Sequence, residues 1–257
     1  MKYLYTLLLT LFFPLFSATN VEILLEPYKE YLEWGTYYGG DWSYLPNIPK
    51  SRYDTLKSAF ELFEKNNGKV IVELGTSRSF VHGGLIGCNL DDRKYWHPDQ
   101  PADWDWGAGF FTRMAAVALG RLNPEIHTVD LIAGHINRCR VMLADYSSIM
   151  RFHVSDSVAF LKNTSFPQGI DLLYLDTGDM TPIEPTALLQ LEEAKVIVER
   201  NLIPQGGILL IDDVKNTTPR KFGDTSGLGK SKYALPFLLK NGFELIADEY
   251  QVILRKK

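Results

Sequence analysis

Two adjacent carboxylates mark a place in the chain where chemistry could occur. Asp212 and Asp213 follow the apolar run 207–211, and Asp176 follows a second such run, 170–175. Burying one unpaired carboxylate is costly, and a second carboxylate nearby repels the first. The pair therefore needs a counter-charge or open water. A bound cation and a solvated strand end are the two hypotheses that this stretch leaves open.

Polar residues also occur at the ends of three other apolar runs, 69–74, 126–131 and 151–154. The residues there that could contact a ligand are Glu73, Gly75, Thr76, Ser77, Asp130, Asp156 and Ser157. If the runs are neighbouring parallel strands, their carboxyl ends meet at one edge of a sheet, where ligands of such folds bind. An edge with this many carboxylates suits a metal ion or a cationic or polyhydroxylated ligand, and it does not suit a pyrophosphate.

The order of the elements indicates how these residues are positioned. The five apolar runs are typical of strands covered on both faces, and helix-length segments separate them at 109–122, 135–148, 157–162 and 186–200. Two further strand-like runs, 242–247 and 250–255, are joined by only Asp248 and Glu249, which requires an antiparallel hairpin. The predicted fold class is therefore α/β: a doubly wound, mostly parallel seven-stranded sheet with a C-terminal antiparallel hairpin.

Residues 72–79, VELGTSRS, resemble the first motif of the Rossmann-like methyltransferases that use S-adenosylmethionine. The resemblance extends from about residue 69 to residue 255. It implies that Glu73, Gly75, Thr76 and Ser77 contact the cofactor. It also implies that Asp130 binds the ribose hydroxyl groups, and that residues 155–157, with Asp156 and Ser157, approach the adenine.

The run ends LYLDTGD and LLIDDV more narrowly resemble the metal-dependent O-methyltransferases of the catechol and macrocin kinds. This resemblance implies that Asp176, Asp212 and Asp213 hold a divalent metal ion, and magnesium is the ion expected from the catechol kind. The chain departs from the pattern because Asp179 stands where the catechol kind has a catalytic lysine, and because Ser79 replaces the last glycine of the cofactor motif. Asp179 and His82 are the candidates for the catalytic base.

The predicted organisation of the chain has three parts. Residues 1–19 combine one charge, an apolar run and small residues, which is the layout of a signal peptide; we expect export to the periplasm or secretion, with an uncleaved membrane anchor as the alternative. A helical segment, 20–68, precedes the methyltransferase domain, 69–257, which carries an inserted lid at 79–107. Cys88 and Cys139 could form one disulfide bond.

The lid is rich in aromatic residues, among them Tyr95, Trp96, Trp104 and Trp106. Such side chains could bind an acceptor ring or stack on a sugar, and they could equally form a small satellite core. The formal net charge of -4 does not indicate a nucleic-acid-binding protein, because such proteins carry basic surfaces. The partner we expect is a small-molecule acceptor with an aromatic or sugar hydroxyl group, and the sequence indicates no oligomeric state.

Three functions are compatible with these patterns. The first is metal-assisted O-methylation of a small hydroxylated acceptor with S-adenosylmethionine as the methyl donor. The second is another transferase or hydroxylase chemistry on the same fold, since fold does not fix function. The third is an exported, non-enzymatic binding protein on a methyltransferase-like scaffold, which the leader motivates.

Overall fold

The computed structural model describes residues 18–34, 51–76, 92–104, 106, 110–179, 182–214 and 229–257. Its seven strands form one sheet in the order β3-β2-β1-β4-β5-β7-β6. The strands are β1 (Val70–Leu74), β2 (Glu125–Asp130), β3 (Met150–Val154), β4 (Leu172–Leu175), β5 (Ile208–Ile211), β6 (Phe243–Asp248) and β7 (Val252–Lys256). The first five strands pair in parallel, and β7 is antiparallel to both β5 and β6. The predicted fold class is confirmed.

Helices cover both faces of this sheet. They are α1 (Asn20–Leu25), α2 (Lys29–Trp34), α3 (Tyr53–Lys65), α4 (Phe111–Leu119), α5 (Ala133–Met142), α6 (Ser157–Asn163), α7 (Ile183–Glu199) and α8 (Ala234–Lys240). Successive residues of a strand point to opposite faces, so Ile71 of β1 packs in one apolar cluster with α1, α3 and α4. Its neighbour Val72 packs in the other cluster with α6, α7 and α8. Both faces of β1 are therefore buried, as the continuous apolar run predicts.

The helical segment 20–68 shares its core with the sheet. Val21 and Leu25 of α1 are completely buried and belong to the same cluster as Ile71. The hydroxyl of Thr19 accepts a hydrogen bond from the Glu22 backbone N–H at 3.1 Å and so caps α1. The leader itself, residues 1–17, lies outside the described residues. Among the residues that are described, no helix is long and apolar enough to cross a membrane.

Two aromatic residues of the predicted lid belong to the core. Trp104 and Trp106 are 1% and 2% exposed, and the ring of Trp106 stacks on Tyr31 of α2 at 5.1 Å. Their indole N–H groups donate to the backbone carbonyls of His97 and Pro101, both at 2.8 Å. Of the two roles predicted for the lid aromatics, these two residues therefore have the packing role. Residues 79–91 of the lid lie outside the described part of the chain.

Cys139 lies on α5 as a completely buried free thiol. Burial, with the nearby Glu73 as a second cause, raises the pKa of this thiol far above its ordinary value. A thiol that stays protonated is a poor nucleophile. Cys88, with which it could pair, lies outside the described residues.

Two histidines pair across β2 and β3. Nδ1 of His127 lies 3.0 Å from Nε2 of His153, and the two rings stack at 5.1 Å beside Phe160. Burial lowers the pKa of His127 to about 4, although Glu125 works in the opposite direction. Burial also lowers the pKa of His153. At neutral pH the folded chain therefore holds both rings in the uncharged form.

We expect the free energy of unfolding to fall as the pH drops from about 6.5 to about 4, the ordinary and the folded pKa of His127. The unfolded chain binds a proton on this ring over that range and the folded chain does not, so acid favours unfolding. After a discount for partial exposure, the loss should be about 2 kcal/mol. Urea unfolding at several pH values measures it. His127→Gln should flatten the slope; an identical slope in that variant would contradict this assignment.

Candidate functional site

A cleft of about 240 Å³ lies at the carboxyl ends of β1, β2, β3 and β4. Its lining residues are Gly75, Val129, Asp130, Leu131, Ile132, His135, Ser155, Asp156, Ser157, Thr177, Gly178, Asp179 and Leu189. Parallel strands bring these loops together because their carboxyl ends share one edge of the sheet. The cleft thus gathers four residues predicted to contact the cofactor: Gly75, Asp130, Asp156 and Ser157.

Gly75 forms the turn that follows β1. Its φ angle is +89°, and a Cβ atom built there would lie 2.5 Å from the backbone oxygen of Asp176. Only glycine adopts such a φ angle without strain, and only a residue without a side chain fits against that carbonyl group. Gly75 therefore lets the β1 loop pass directly beside the end of β4.

Asp130 ends β2 and is held by its surroundings. One carboxylate oxygen accepts from the Ile132 N–H at 2.8 Å, and the other contacts Nδ1 of His135 at 3.1 Å and the Thr76 N–H at 3.4 Å. Burial works to raise the pKa of Asp130, but the hydrogen bonds from His135 and Ile132 outweigh it and lower the pKa. Asp130 is therefore a fixed anion at the wall of the cleft.

A buried carboxyl group joins two walls of the cleft. Glu193 of α7 contacts the hydroxyl of Ser157 at 2.5 Å and that of Thr177 at 2.9 Å. Burial raises the pKa of Glu193 to about 7. Glu193 was not predicted from the sequence. It lies with Gln190 on the buried face of α7, and two polar residues three apart in a predicted helix were the only signal. Asp156 itself caps α6 by accepting from the Ala159 N–H at 2.8 Å.

Two other residues predicted to bind the cofactor, Glu73 and Thr76, are absent from the lining of the cleft. Glu73 is 1% exposed and accepts hydrogen bonds from the hydroxyls of Thr112 and Thr128, so its carboxylate supports the loop from behind and does not line the cleft. Thr76 is also buried and contacts the Thr128 hydroxyl at 2.6 Å. Ser77 lies outside the described residues.

Asp176, Asp212 and Asp213 come together beside the cleft, at the ends of β4 and β5. One oxygen of each lies within 4.8 Å of the others, as the sequence predicts. Asp213 has a φ angle of +53°, a left-handed conformation that Asp adopts more readily than most residues. This turn separates the two side chains, so that Asp212 is completely buried and Asp213 is partly exposed.

Arg52, the N-terminal cap of α3, supplies the counter-charge of Asp212. Its Nη2 lies 2.9 Å and its Nε 3.2 Å from Asp212 Oδ2, and Nε is also 3.2 Å from Oδ1. Oδ1 accepts a further hydrogen bond from the Gln251 amide at 3.1 Å. Arg52 is 3% exposed and also donates to the Trp106 carbonyl at 3.2 Å. Both oxygens of Asp212 therefore have protein donors.

Lys230 lies between the other two carboxylates. Its Nζ is 2.8 Å from Asp176 Oδ1 and 2.7 Å from Asp213 Oδ2. The remaining oxygen of Asp213 accepts from the Tyr250 hydroxyl. Only 4% of the lysine side chain is exposed. Burial works to lower the pKa of Lys230, but Asp176 and the other two carboxylates outweigh it and keep the ammonium charged.

The two carboxylates that share Lys230 differ in proton affinity. Burial raises the pKa of Asp176 to about 7, since repulsion from Asp212 and Asp213 adds to burial and Lys230 only partly offsets them. Burial acts on Asp213 in the same direction, but Lys230 and Arg52 outweigh it and lower the pKa to about 2. Asp213 is therefore the firmly ionised partner of the lysine.

Of the two candidates for the catalytic base, Asp179 is described by the structure and His82 is not. Asp179 lines the cleft, and its backbone carbonyl accepts from the Thr186 hydroxyl at 2.8 Å, which ties the β4 loop to α7. It does not belong to the group of three carboxylates. His82 lies outside the described part of the chain.

Solved structures with a similar fold exist, although no protein-family model and no curated protein matches the sequence. The SAH-bound methyltransferase PaMTH1 of Podospora anserina matches over 91% of this chain and 88% of its own, with 13% identity and a TM-score of 0.51. The chain has the Rossmann-like methyltransferase fold. A putative O-methyltransferase from Klebsiella pneumoniae matches over 94% and 91%, with 12% identity and a TM-score of 0.47.

The sequence resemblance is thus confirmed at the level of the fold. The cations of the site were not predicted. Lys230 belongs to the stretch GLGKS at 227–231, which looks like part of a phosphate-binding loop but lacks its first glycine, and Arg52 precedes a helix without any motif. The sequence indicated only that the buried carboxylates need a counter-charge. It did not indicate which cationic residues supply that charge.

We expect Gly75→Ala to lower the free energy of unfolding by about 2 kcal/mol or more, because the methyl group meets the Asp176 carbonyl and the positive φ angle is strained. Thermal unfolding measures the change. Gly120→Ala is the matched control, since Gly120 has a helical φ angle of -53° and a Cβ atom there would lie 3.3 Å from the Tyr146 ring at its nearest. Equal melting temperatures for the two variants would contradict the close approach.

Proposed function

We propose that this protein is an S-adenosylmethionine-dependent O-methyltransferase that acts on a small hydroxylated acceptor. The observation that carries the proposal is a cleft at the carboxyl ends of the central strands, with Gly75 and the fixed anion of Asp130 in its wall, directly beside a cluster of carboxylates. The methyltransferase fold supports it, because ligands of doubly wound sheets bind at this edge.

The lining of the cleft fits the proposed cofactor. Asp130 offers a carboxylate for hydroxyl groups, Gly75 lets a ligand approach the backbone of the loop, and Leu131 and Ile132 leave 70% and 53% of their surface exposed there. These apolar side chains suit a purine face, and Asp156 and Ser157 suit its polar edge. When bound, S-adenosylmethionine supplies a methyl group on a sulfonium centre, which an oxygen nucleophile can accept.

The acceptor belongs on the side of Asp176. Gly75 lines the cleft and its backbone touches that of Asp176, so the carboxylate cluster begins where the cleft ends. Carboxylate oxygens accept hydrogen bonds from hydroxyl groups, and Asp176 and Asp213 keep 16% and 13% of their side chains exposed. A general base must take the hydroxyl proton; Asp179, in the cleft lining, and His82 stay the predicted candidates.

A magnesium ion at Asp176, Asp212 and Asp213 stays a prediction. The donor set has the right chemistry, since magnesium prefers oxygen ligands. The arrangement of the described residues does not fit the ion, because Arg52 and Gln251 contact both oxygens of Asp212 and Lys230 stands between Asp176 and Asp213. Our proposal therefore includes no step through a metal.

The other two functions have less support. Aminopropyl transfer or hydroxylation would use the same fold and cofactor edge, and no described residue favours either of them. A non-enzymatic binding role was motivated by the leader, which lies outside the described residues. Methyl transfer uses both the cleft and the carboxylate cluster beside it.

We expect isothermal titration calorimetry to detect binding of S-adenosylmethionine to the wild-type protein. Asp130→Asn should weaken the affinity at least about tenfold, because charge-assisted hydrogen bonds to the ribose contribute about 1.5 to 3 kcal/mol each. Asp145→Asn is the control, as Asp145 is exposed on a turn away from the cleft. Unaltered affinity in a folded Asp130→Asn variant would mean that the cofactor binds elsewhere.

We also propose that the protein is exported and loses its leader near residue 19. Thr19 caps α1 and donates a hydrogen bond to Glu61 at 2.7 Å, so a cut that leaves Thr19 at the new N-terminus preserves both contacts. N-terminal sequencing of the soluble product, after expression of the full gene in a bacterium, should find a start near Asn20, and a start at Thr19 is the one that keeps both contacts. A soluble chain that still begins at Met1 would refute the export proposal.

A further inference from the structure

We infer that the ammonium group of Lys230 is the resident cation of the carboxylate cluster, in the place where a divalent metal ion was expected, and that removing it opens a divalent-cation site. The inference goes beyond the proposed function, because it concerns what neutralises Asp176 and Asp213 and not which reaction takes place. It rests on contacts, burial and charge within the described residues.

The first argument is the position of Lys230. Its Nζ lies within hydrogen-bond distance of one oxygen of Asp176 and one oxygen of Asp213, at 2.8 and 2.7 Å. A metal ion shared by these residues would have to lie between the same two oxygens. Ammonium and divalent ion therefore compete for one position, and repulsion between their charges opposes joint occupancy.

The second argument is that the lysine is fixed in place. Lys230 and Ser231 are 3% and 0% exposed, and they lie in the turn before α8. The Gly229 N–H donates to the Val214 carbonyl just beyond β5 at 3.2 Å, and the Leu235 N–H donates to the Ser231 carbonyl at 2.9 Å. The turn is thus attached both to the end of β5 and to α8. The backbone of Lys230 is therefore held in place, and its side chain is buried beside the carboxylates.

The third argument is charge. The cluster contains the carboxylates of Asp176, Asp212 and Asp213 and the cations Arg52 and Lys230. Asp212 already has Arg52 as its partner, and its side chain is 1% exposed. The two remaining carboxylates have Lys230 between them, and Arg52 lies farther away, 4.0 Å from Asp213. With the lysine present a divalent ion has no uncompensated pair to bind, whereas without it two neighbouring carboxylates would repel each other and attract a cation.

The test is a titration with Mn²⁺, followed by calorimetry, on the wild type and on Lys230→Met, which keeps an unbranched side chain but has no charge. We expect Lys230→Met to bind Mn²⁺ at least about tenfold more tightly than the wild type, because two oxygen ligands lose the ammonium between them and Asp213 keeps only Arg52, 4.0 Å away. Adding Asp213→Asn to this variant should abolish the gain. The titration needs neither methyl donor nor acceptor, so its result is independent of the proposed function.

Lys232→Met is the matched control. Lys232 lies two residues away and pairs with Glu184 at the protein surface, so its loss should leave Mn²⁺ affinity as in the wild type. A second readout is thermal unfolding: Lys230→Met should melt below the wild type without metal and regain stability with Mn²⁺, while the wild type should not respond. Lys230→Gln serves for both measurements if Lys230→Met does not fold.

Tight Mn²⁺ binding by the wild type, with no gain in Lys230→Met or Lys230→Gln, would overturn the inference and restore the metal expected from the sequence. A gain of equal size in Lys232→Met would also overturn it, because the effect would then follow from net charge alone.

Discussion

Neutralisation of three aspartates at the ends of β4 and β5 is the constraint on which the site depends. Asp212 is completely buried and lies beside Asp213, so folding requires cations at this point. Arg52, at the start of α3, pairs with Asp212. Lys230, in the turn before α8, pairs with Asp176 and Asp213. The ion pairs therefore attach two helices, far apart in sequence, to the same edge of the sheet.

The same network connects the core to the cleft. Arg52 donates to the Trp106 carbonyl, and Trp106 packs in the main apolar cluster with α1, α3 and α4. At the other end, Asp176 is followed by Thr177 and Gly178, which line the cleft. A change in the carboxylate cluster would therefore affect the wall of the proposed cofactor site and the packing of the N-terminal helices together.

Hydrogen bonds hold the polar side chains around the cleft in place. The carboxylate of Asp130 is fixed by two backbone N–H groups and His135, and Glu193 joins the loops after β3 and β4. Preorganised polar groups suit a site that binds a ligand in one orientation. Glu73 contributes from behind, where it accepts from Thr112 and Thr128 and keeps the β1 loop in position.

The sheet and its acidic edge could be predicted from the sequence. Short continuous apolar runs that alternate with helix-length segments favour strands buried on both faces, and a connection of two residues between the last runs allows only an antiparallel pairing. Gly75 and Asp130 could be placed in the cleft because they directly follow or end such strands. These features depend on local patterns, which a reader can recognise without knowing which segments meet.

The contacts of the polar side chains could not be predicted, because they depend on which segments packing brings together. Arg52 lies 160 residues from Asp212, and no periodicity links the two positions. The pairing of His127 with His153 depends on the register of two strands, and the burial of Trp104 and Trp106 depends on α2 packing over them. The carboxylates were predictable because they end strands, whereas their partners were not, because a counter-charge can come from any segment that packing brings near.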